Sequence, residues 1–507
     1  MMRISNSSSD KTITLFLLLS AGILPILMRA AILHEYNPFL GISSVGPGVK
    51  GEFFTYYKFI FLIMMTVILF AVFLYKHSIT TPYEQSYQYW LPILLILGGL
   101  LISVSFSDLK HVTLFGRYNS HEATISYLLY LILFFVVANT KLHAHFIENL
   151  ALVLMPFTVI NTMLAGFNFN GTNLLDNPTI QKLLFPANLQ FESSSYLVTT
   201  LSNPNYLSGA SATLFFLFLG AIFHTKSIFK KLLFVLMLWL SFTNILLSFS
   251  SSGFITILSL LPILLILFFC KPLRTKQNLM IFLICMVLIS STLLFLIQVE
   301  PQVWKETFGI FNLGNPFQNH STANPINNLF PIYQVSASDS PTTTYYPVFP
   351  ERGESFGSGR FYIWGETLKL ILKNPIQGYG MDTLLFYFPQ YTPEKFAGLW
   401  LNNNLVDKPH NLYLQLWYGA GGIAFIGFLL LLGQIFRNSL RWFNQTKADR
   451  SQWTLLLGTS FAILAYLVQG LVNDSVMGFS HVFWIILGAQ ASFILNYVPS
   501  KVLTKTK

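Results

Sequence analysis

The sequence predicts an all-α integral membrane protein of about twelve transmembrane helices, with one large extracytoplasmic loop between the ninth and tenth. Three observations carry this. The 507-residue chain is 53% hydrophobic and only 10% charged, whereas a soluble domain is about one quarter charged. Apolar runs of about 20 residues, the length a helix needs to cross a bilayer, recur from end to end. Lys and Arg gather in alternate connections, the pattern that the positive-inside rule gives a multi-pass protein.

The runs fall near 12–33, 53–75, 90–107, 122–139, 145–165 and 203–223, then 231–247, 252–269, 278–297, 411–436, 452–473 and 478–497. The first lacks a small-residue cleavage site after a short apolar core, and reads as an uncleaved helix rather than a signal peptide. Lys76, Lys141, Lys226/Lys230/Lys231, Lys271/Arg274/Lys276 and Arg437/Arg441/Lys447/Arg450 mark cytoplasmic connections. Arg3, Lys11, Lys501, Lys505 and Lys507 put both termini on the same side. The connections 34–52, 108–121, 166–202 and 298–410 are then outside. Topology and attraction to anionic lipid account for the net charge of +10, so no nucleic-acid partner is implied. Cys270 and Cys285, the only cysteines, form no disulfide framework or zinc pattern and read as small apolar fillers.

The chain therefore divides into a bundle of nine helices over 1–297, an extracytoplasmic loop over 298–410 and a closing bundle of three over 411–507. Within the loop, 312–350 is rich in Asn, Pro, Ser and Thr and lacks the apolar surface to order itself. Phe361, Trp364, Leu368 and Leu372 instead follow helical spacing. They predict an amphipathic helix, capped by Ser358 and stopped at Asn374-Pro375, with a second short segment over 382–390. Such helices would roof a cavity. The smaller 166–202 loop holds Asp176, Lys182 and Glu192 and leads into the turn Ser202-Asn203-Pro204-Asn205-Tyr206. No internal repeat argues for an inverted-repeat transporter.

Ionisable residues held at a membrane surface are costly and mark candidate sites. Arg360, in the first turn of the amphipathic helix, is either a clamp for a diphosphate or an interfacial anchor. His410 follows Pro409 at the start of the tenth span. A helix N-terminus there would lower its pKa and keep the imidazole neutral, as a general base requires; an ordinary interfacial His is the alternative. Asn411 and Tyr413 stand ready to orient the ring, or simply to cap the helix. Gly378-Tyr379-Gly380 is either an anion nest or a tight turn. Arg117 is a second cation facing the same cavity, and Asp474 is either a partner for an Arg or His or a helix-end carboxylate in water. Asp-x-Asp, a P-loop and clustered metal-ligand spacing are all missing from the sequence, and His143-x-His145 is too isolated to define a metal site.

Taken in order, Gly359-Arg360 with Trp364, Asn374-Pro375 with Gly378 and Gly380, His410-Asn411 with Tyr413, and Gly419 with Gly421-Gly422 resemble the bacterial O-antigen ligase and polysaccharide polymerase superfamily. Gly116-Arg117 and Ser202-Asn203-Pro204-Asn205-Tyr206 are similar to its weaker upstream signatures. The resemblance implies a GT-C-like, inverting, metal-independent glycosyltransferase in the bacterial plasma membrane, needing no cofactor. Its donor would be a glycan on undecaprenyl diphosphate, and its acceptor a glycan, lipid or protein hydroxyl. Arg360 and His410 would be catalytic, Arg360 at the diphosphate and His410 at the acceptor hydroxyl; Arg117, Asn411, Tyr413, Gly378 and Gly380 would bind substrate. Many relatives carry an Arg after a Ser or Thr at the outer start of the eighth span, where this chain reads Ser250-Ser251-Ser252-Gly253. Arg117, Arg352 or Lys408 would have to replace that charge.

Two other function classes compete. A transporter or flippase would need charge within the spans and discontinuous helices, and transport would survive His410→Ala. A non-catalytic assembly partner would draw support from the serines that stand in place of Arg. The choice between ligase and polymerase rests on the acceptor, which no motif fixes.

Overall fold

The computed structural model describes residues 7–35, 48–79, 86–143, 145–186, 199–268, 275–311, 313–317, 359–392, 405–445 and 450–497. Residues 318–350, Arg352, Ser358, Glu192 and Cys270, on which several expectations fall, lie outside these. The described chain is a helical membrane protein. Its helices are α1 (Ser7–Ile23), α2 (Tyr56–Ile79), α3 (Trp90–Phe106), α4 (Lys110–Phe115), α5 (Thr124–Ala138), α6 (Phe146–Phe169), α7 (Pro178–Leu184), α8 (Pro204–His224) and α9 (Ile228–Leu247). They continue as α10 (Ser251–Phe268), α11 (Lys276–Val299), α12 (Pro301–Glu306), α13 (Arg360–Lys373), α14 (Leu384–Tyr387), α15 (Leu412–Gln445), α16 (Arg450–Gln469) and α17 (Ser480–Tyr497). Seven of these are long and apolar enough to cross a membrane, and α3, α5, α10 and α17 are shorter apolar helices. Every predicted apolar run after the first coincides with a helix, and the first does so as far as Ile23.

Three departures have physical causes. The first run stops at Ile23, because Pro25 opens a 3-10 turn and the chain then forms a strand. That strand, Ala31–Glu35, pairs antiparallel with Gly48–Glu52, so the 34–52 connection holds a two-stranded ladder and the fold is not purely α. On α13 the expected apolar face is the outward one: Phe361, Leu368 and Leu372 are exposed, while Ile363, Thr367 and Ile371 are buried. Apolar residues ring this helix. Docking of Ile363 and Ile371 onto Leu384, Phe388 and Tyr418 decides which side packs.

α8 is the central pillar. Asn203 caps it by accepting from the Asn205 amide at 2.8 Å, and Pro204 fills its first turn. Almost every residue from Leu207 to His224 is buried, packed against α9, α10 and α16. Where α8 crosses α16 the small residues are Gly220 and Gly458, and a Cβ added at Gly458 would lie 2.6 Å from the Gly220 Cα. Such close backbone approach is how membrane helices gain dispersion contact without a hydrophobic driving force.

α15 is broken at Gly421, whose φ of 78° and ψ of 173° are not helical. The turn after α13 repairs the break. Tyr379 N–H donates to the Tyr418 carbonyl (2.9 Å), Gly380 N–H to the Gly419 carbonyl (3.0 Å), and Gly422 N–H to the Pro375 carbonyl (2.8 Å). In an unbroken helix Gly422 would itself bond Tyr418, so the turn exchanges partners with the helix and leaves no orphan. Only Gly fits at 421, because an added Cβ would collide with the Ile376 carbonyl. Gly421→Ala is expected to destabilise the protein by about 3 kcal/mol or more, read as a lower melting temperature in detergent; a variant that melts with wild type would show that the break is dispensable.

Candidate functional site

The site forms where the α8 N-terminus, the α13 N-terminus and the two ends around α15 and α16 meet. Gly359, at φ 76°, turns the chain into α13 and sets Arg360 in its first turn. From the same helix Trp364 Nε1 donates to the Pro409 carbonyl at 2.9 Å. This bond ties the helix bearing Arg360 to the segment bearing His410, 45 residues away.

His410 precedes the helix rather than beginning it. Asn411 is the cap, its Oδ1 accepting from the amides of Tyr413 and Leu414, each at 3.0 Å. Asn411 Nδ2 donates to the Leu471 carbonyl at 2.8 Å, and Leu412 N–H to that of Gly470 at 2.8 Å. The start of α15 is thereby stitched to the end of α16. His410 itself adopts φ 51°, a left-handed conformation uncommon for a non-glycine residue and one that collects at functional positions.

Asp474 organises this corner. It is buried, and its Oδ2 accepts from His410 Nδ1 at 2.9 Å while Oδ1 accepts from the Asn411 amide at 3.3 Å. Tyr206 Oη reaches Oδ2 at 3.5 Å. A carboxylate only accepts, so Nδ1 carries the proton. His410 Nε2 makes no hydrogen bond among the described residues. Burial alone would lower the imidazole's pKa, but Asp474 and Asp407 outweigh burial and Arg360 and hold it above its ordinary value. This reverses the sequence expectation of a lowered pKa: the ring lies outside the helix's first turn and faces a carboxylate.

The two arginines prove different. Arg117 is buried, with Nη2 donating to Asp407 at 2.7 Å and Nε 3.6 Å from Asp382 Oδ1. Its backbone N–H also donates to Asp382 Oδ2, at 2.7 Å. Burial would lower its pKa, but the two aspartates raise it. Partial burial pushes Asp407 up, yet Arg117, Lys408 and His410 bring it down to about 2. Arg117 therefore locks the 116–121 turn to the loop before α15 and is no spare charge at the cavity. Arg360, half-buried, makes no ion pair among the described residues. Burial draws its pKa down, while Asp474, Tyr206 and Glu306 oppose this from nearby.

Gly378 and Gly380 also read differently in place. Their amides donate to the Asn374 and Gly419 carbonyls at 3.1 Å and 3.0 Å, so they build the seam against α15 rather than an anion nest. The Tyr413 hydroxyl donates to the Leu467 carbonyl at 3.0 Å. Among the serines, Ser250 Oγ donates to Asn205 Oδ1 (2.6 Å) and Ser251 Oγ to Glu306 Oε2 (3.1 Å). The Glu306 carboxylate thus faces this serine turn. Lys408 is buried 6.0 Å from the centre of the Tyr206 ring, and beside it Lys58, Ser202, Asn119 and Tyr206 line a small polar cleft.

Sequence reasoning missed Asp382, Asp407, Glu306 and Glu122. Glu122 is fully buried and accepts from Tyr130 Oη at 2.9 Å and from Ser475 Oγ. No local pattern announces any of the four; Arg117 and its two partners are 265 and 290 positions apart.

Fold and site together define a polytopic helical membrane protein with a carboxylate-oriented histidine and an unpaired guanidinium at one end of its bundle. The family model described as O-Antigen ligase matches residues 236–429. That span runs from α9 into α15 and contains Arg360, the 374–380 turn, His410 and the Gly421 break. Over those residues the chain is similar to an O-antigen ligase domain, in agreement with the superfamily of ligases and polymerases that its motifs resemble. No curated protein matches the chain.

His410 has a folded pKa above its unfolded value, so the pair's contribution to stability is complete below about 6.5 and is lost as pH rises through the folded value. Asp474→Asn is expected to remove that pH slope, leaving burial to hold the imidazole below its ordinary value. Melting curves from mildly acidic to alkaline pH check this; an unchanged slope would place the titration elsewhere.

Proposed function

We propose that this protein transfers or polymerises a glycan from an undecaprenyl-diphosphate carrier onto an acceptor hydroxyl at the outer face of the bacterial plasma membrane. The observation that carries the reading is the pairing of an unengaged Arg360 with a His410–Asp474 dyad in a chain similar to an O-antigen ligase domain. In one displacement the bond from the anomeric carbon to the diphosphate oxygen breaks as the acceptor oxygen bonds that carbon, inverting the configuration. The acceptor's proton passes to His410 Nε2, and Asp474 stabilises the imidazolium, as an aspartate does for a catalytic histidine. Arg360 meets the charge that develops on the departing diphosphate. A metal is not needed for either task.

The basic clusters support twelve spans with both termini cytoplasmic, which puts α13 and His410 outside. Asn411 and Tyr413 position the dyad, and Arg117, Gly378 and Gly380 hold the loops that shape the cavity. The broken α15 does not favour transport, because loop 375–380 satisfies the backbone groups freed at the break.

Purified protein given undecaprenyl-diphosphate-linked oligosaccharide in EDTA is expected to form product. Longer lipid-linked chains identify a polymerase; a labelled separate acceptor identifies a ligase. His410→Ala and Arg360→Ala should each lower the rate by about 10² to 10⁴ at unchanged membrane levels. Transfer by His410→Ala at the wild-type rate would sink the mechanism. Arg117→Ala should instead reduce folded protein, since it strands Asp382 and Asp407 at a cost of about 3–5 kcal/mol; normal levels of an inactive variant would return Arg117 to the substrate.

A further inference from the structure

At the other end of α8, about 30 Å from its N-terminus by helical rise, three metal-ligating side chains converge. His145, Glu148 and His224 each offer one ligand atom, all within 4.8 Å of one another. His145 Nδ1 lies 3.4 Å and His224 Nε2 3.9 Å from the same oxygen, Glu148 Oε1. Two ligands about 2.0–2.2 Å from a tetrahedral zinc ion stand about 3.4 Å apart, so the first distance already fits and the others need small side-chain shifts.

We propose that His145, Glu148 and His224 bind a divalent transition metal, zinc being the best match to two imidazoles and one carboxylate. The surroundings are those of a built site. Glu148 is buried, and its second oxygen, Oε2, accepts from Lys230 Nζ at 2.8 Å, which leaves Oε1 turned to the histidines. His224 is buried, with Nδ1 3.5 Å from Thr454 Oγ1 and Nε2 facing the carboxylate. Outer contacts of this kind fix the orientation of metal ligands. His145 is 72% exposed at its side chain, so the ion has a route in from solvent and room for a water as fourth ligand. The sequence hides the site, because the neighbour that matters to His145 is not His143 but a histidine 79 positions on, brought close by the packing of α6 beside α8.

Bound metal would join the N-terminus of α6 to the C-terminus of α8. Through Lys230 and Thr454 the clamp extends to α9 and α16. It lies far from His410, so it takes no part in the transfer step.

The test is zinc binding itself, independent of any glycan. Detergent-purified protein, stripped with EDTA and desalted, is titrated with zinc chloride against a fluorescent zinc chelator near neutral pH. One equivalent is expected in wild type, accompanied by a rise in melting temperature. His145→Ala, whose exposed ring makes misfolding no concern, and Glu148→Gln should each weaken binding by about 100-fold and abolish the rise. His143→Ala should keep both. Absence of stoichiometric zinc in wild type, or its full retention in His145→Ala, overturns the proposal.

Discussion

A buried carboxylate in a membrane protein must be matched on every side, and Asp474 is matched by the groups that make the site. Its two oxygens take His410, the backbone of Asn411 and Tyr206. Leaving such a group unpaired costs several kcal/mol, so the fold cannot keep Asp474 buried without also placing the imidazole. The same constraint draws the α8 N-terminus and the start of α15 to one point. The positive φ of His410 is the local strain that this convergence imposes.

Around that point, the segments most diagnostic in sequence prove to be partners of one another. Asn374-Pro375 with Gly378 and Gly380 hydrogen-bonds the glycines of the broken α15, and Trp364 holds the carbonyl before His410. The motifs are far apart in the chain because each supplies one side of a backbone seam. Glycine is demanded there by geometry: Cβ atoms at Gly378 would lie 2.7 Å from both the Tyr418 carbonyl and the Gly421 nitrogen. The cation and the imidazole are thus set by a rigid frame rather than by the polar loop that precedes them.

The helices were legible because twenty-residue apolar runs leave little else for a chain to do in lipid. The Ala31–Glu35 ladder was not, since five residues with one charged and one imidazole side chain resemble any polar connection. Nor was the packing side of α13, where apolar residues occur on both sides and only the docked neighbours choose. In the site, Arg360, His410 and Asn411 stood out through motif order, and Asp474 through its place at a helix end. Asp382, Asp407 and Glu148 remained invisible, because an isolated acidic residue acquires meaning only from what folding brings opposite it. The pKa of His410 went the other way from a helix-terminus argument for the same reason: a carboxylate 2.9 Å away outweighs a dipole whose helix starts two residues later.

The glycine crossing of α8 and α16 bears on the bioenergetics of any membrane that holds this protein. At Gly220 and Gly458 two backbones touch about one turn before α8 ends at His224, and beside them Phe216 stacks on Phe461 in the buried core. On the N-terminal side of this crossing α8 is buried and apolar from Leu214 to Leu219. The polar cluster around Asp474 and the ion cluster around Glu148 are therefore insulated from each other along α8, like contacts at the two faces of a capacitor. A wet, charged cavity at one end can be carved deep into the bundle without discharging the potential that the bilayer sustains.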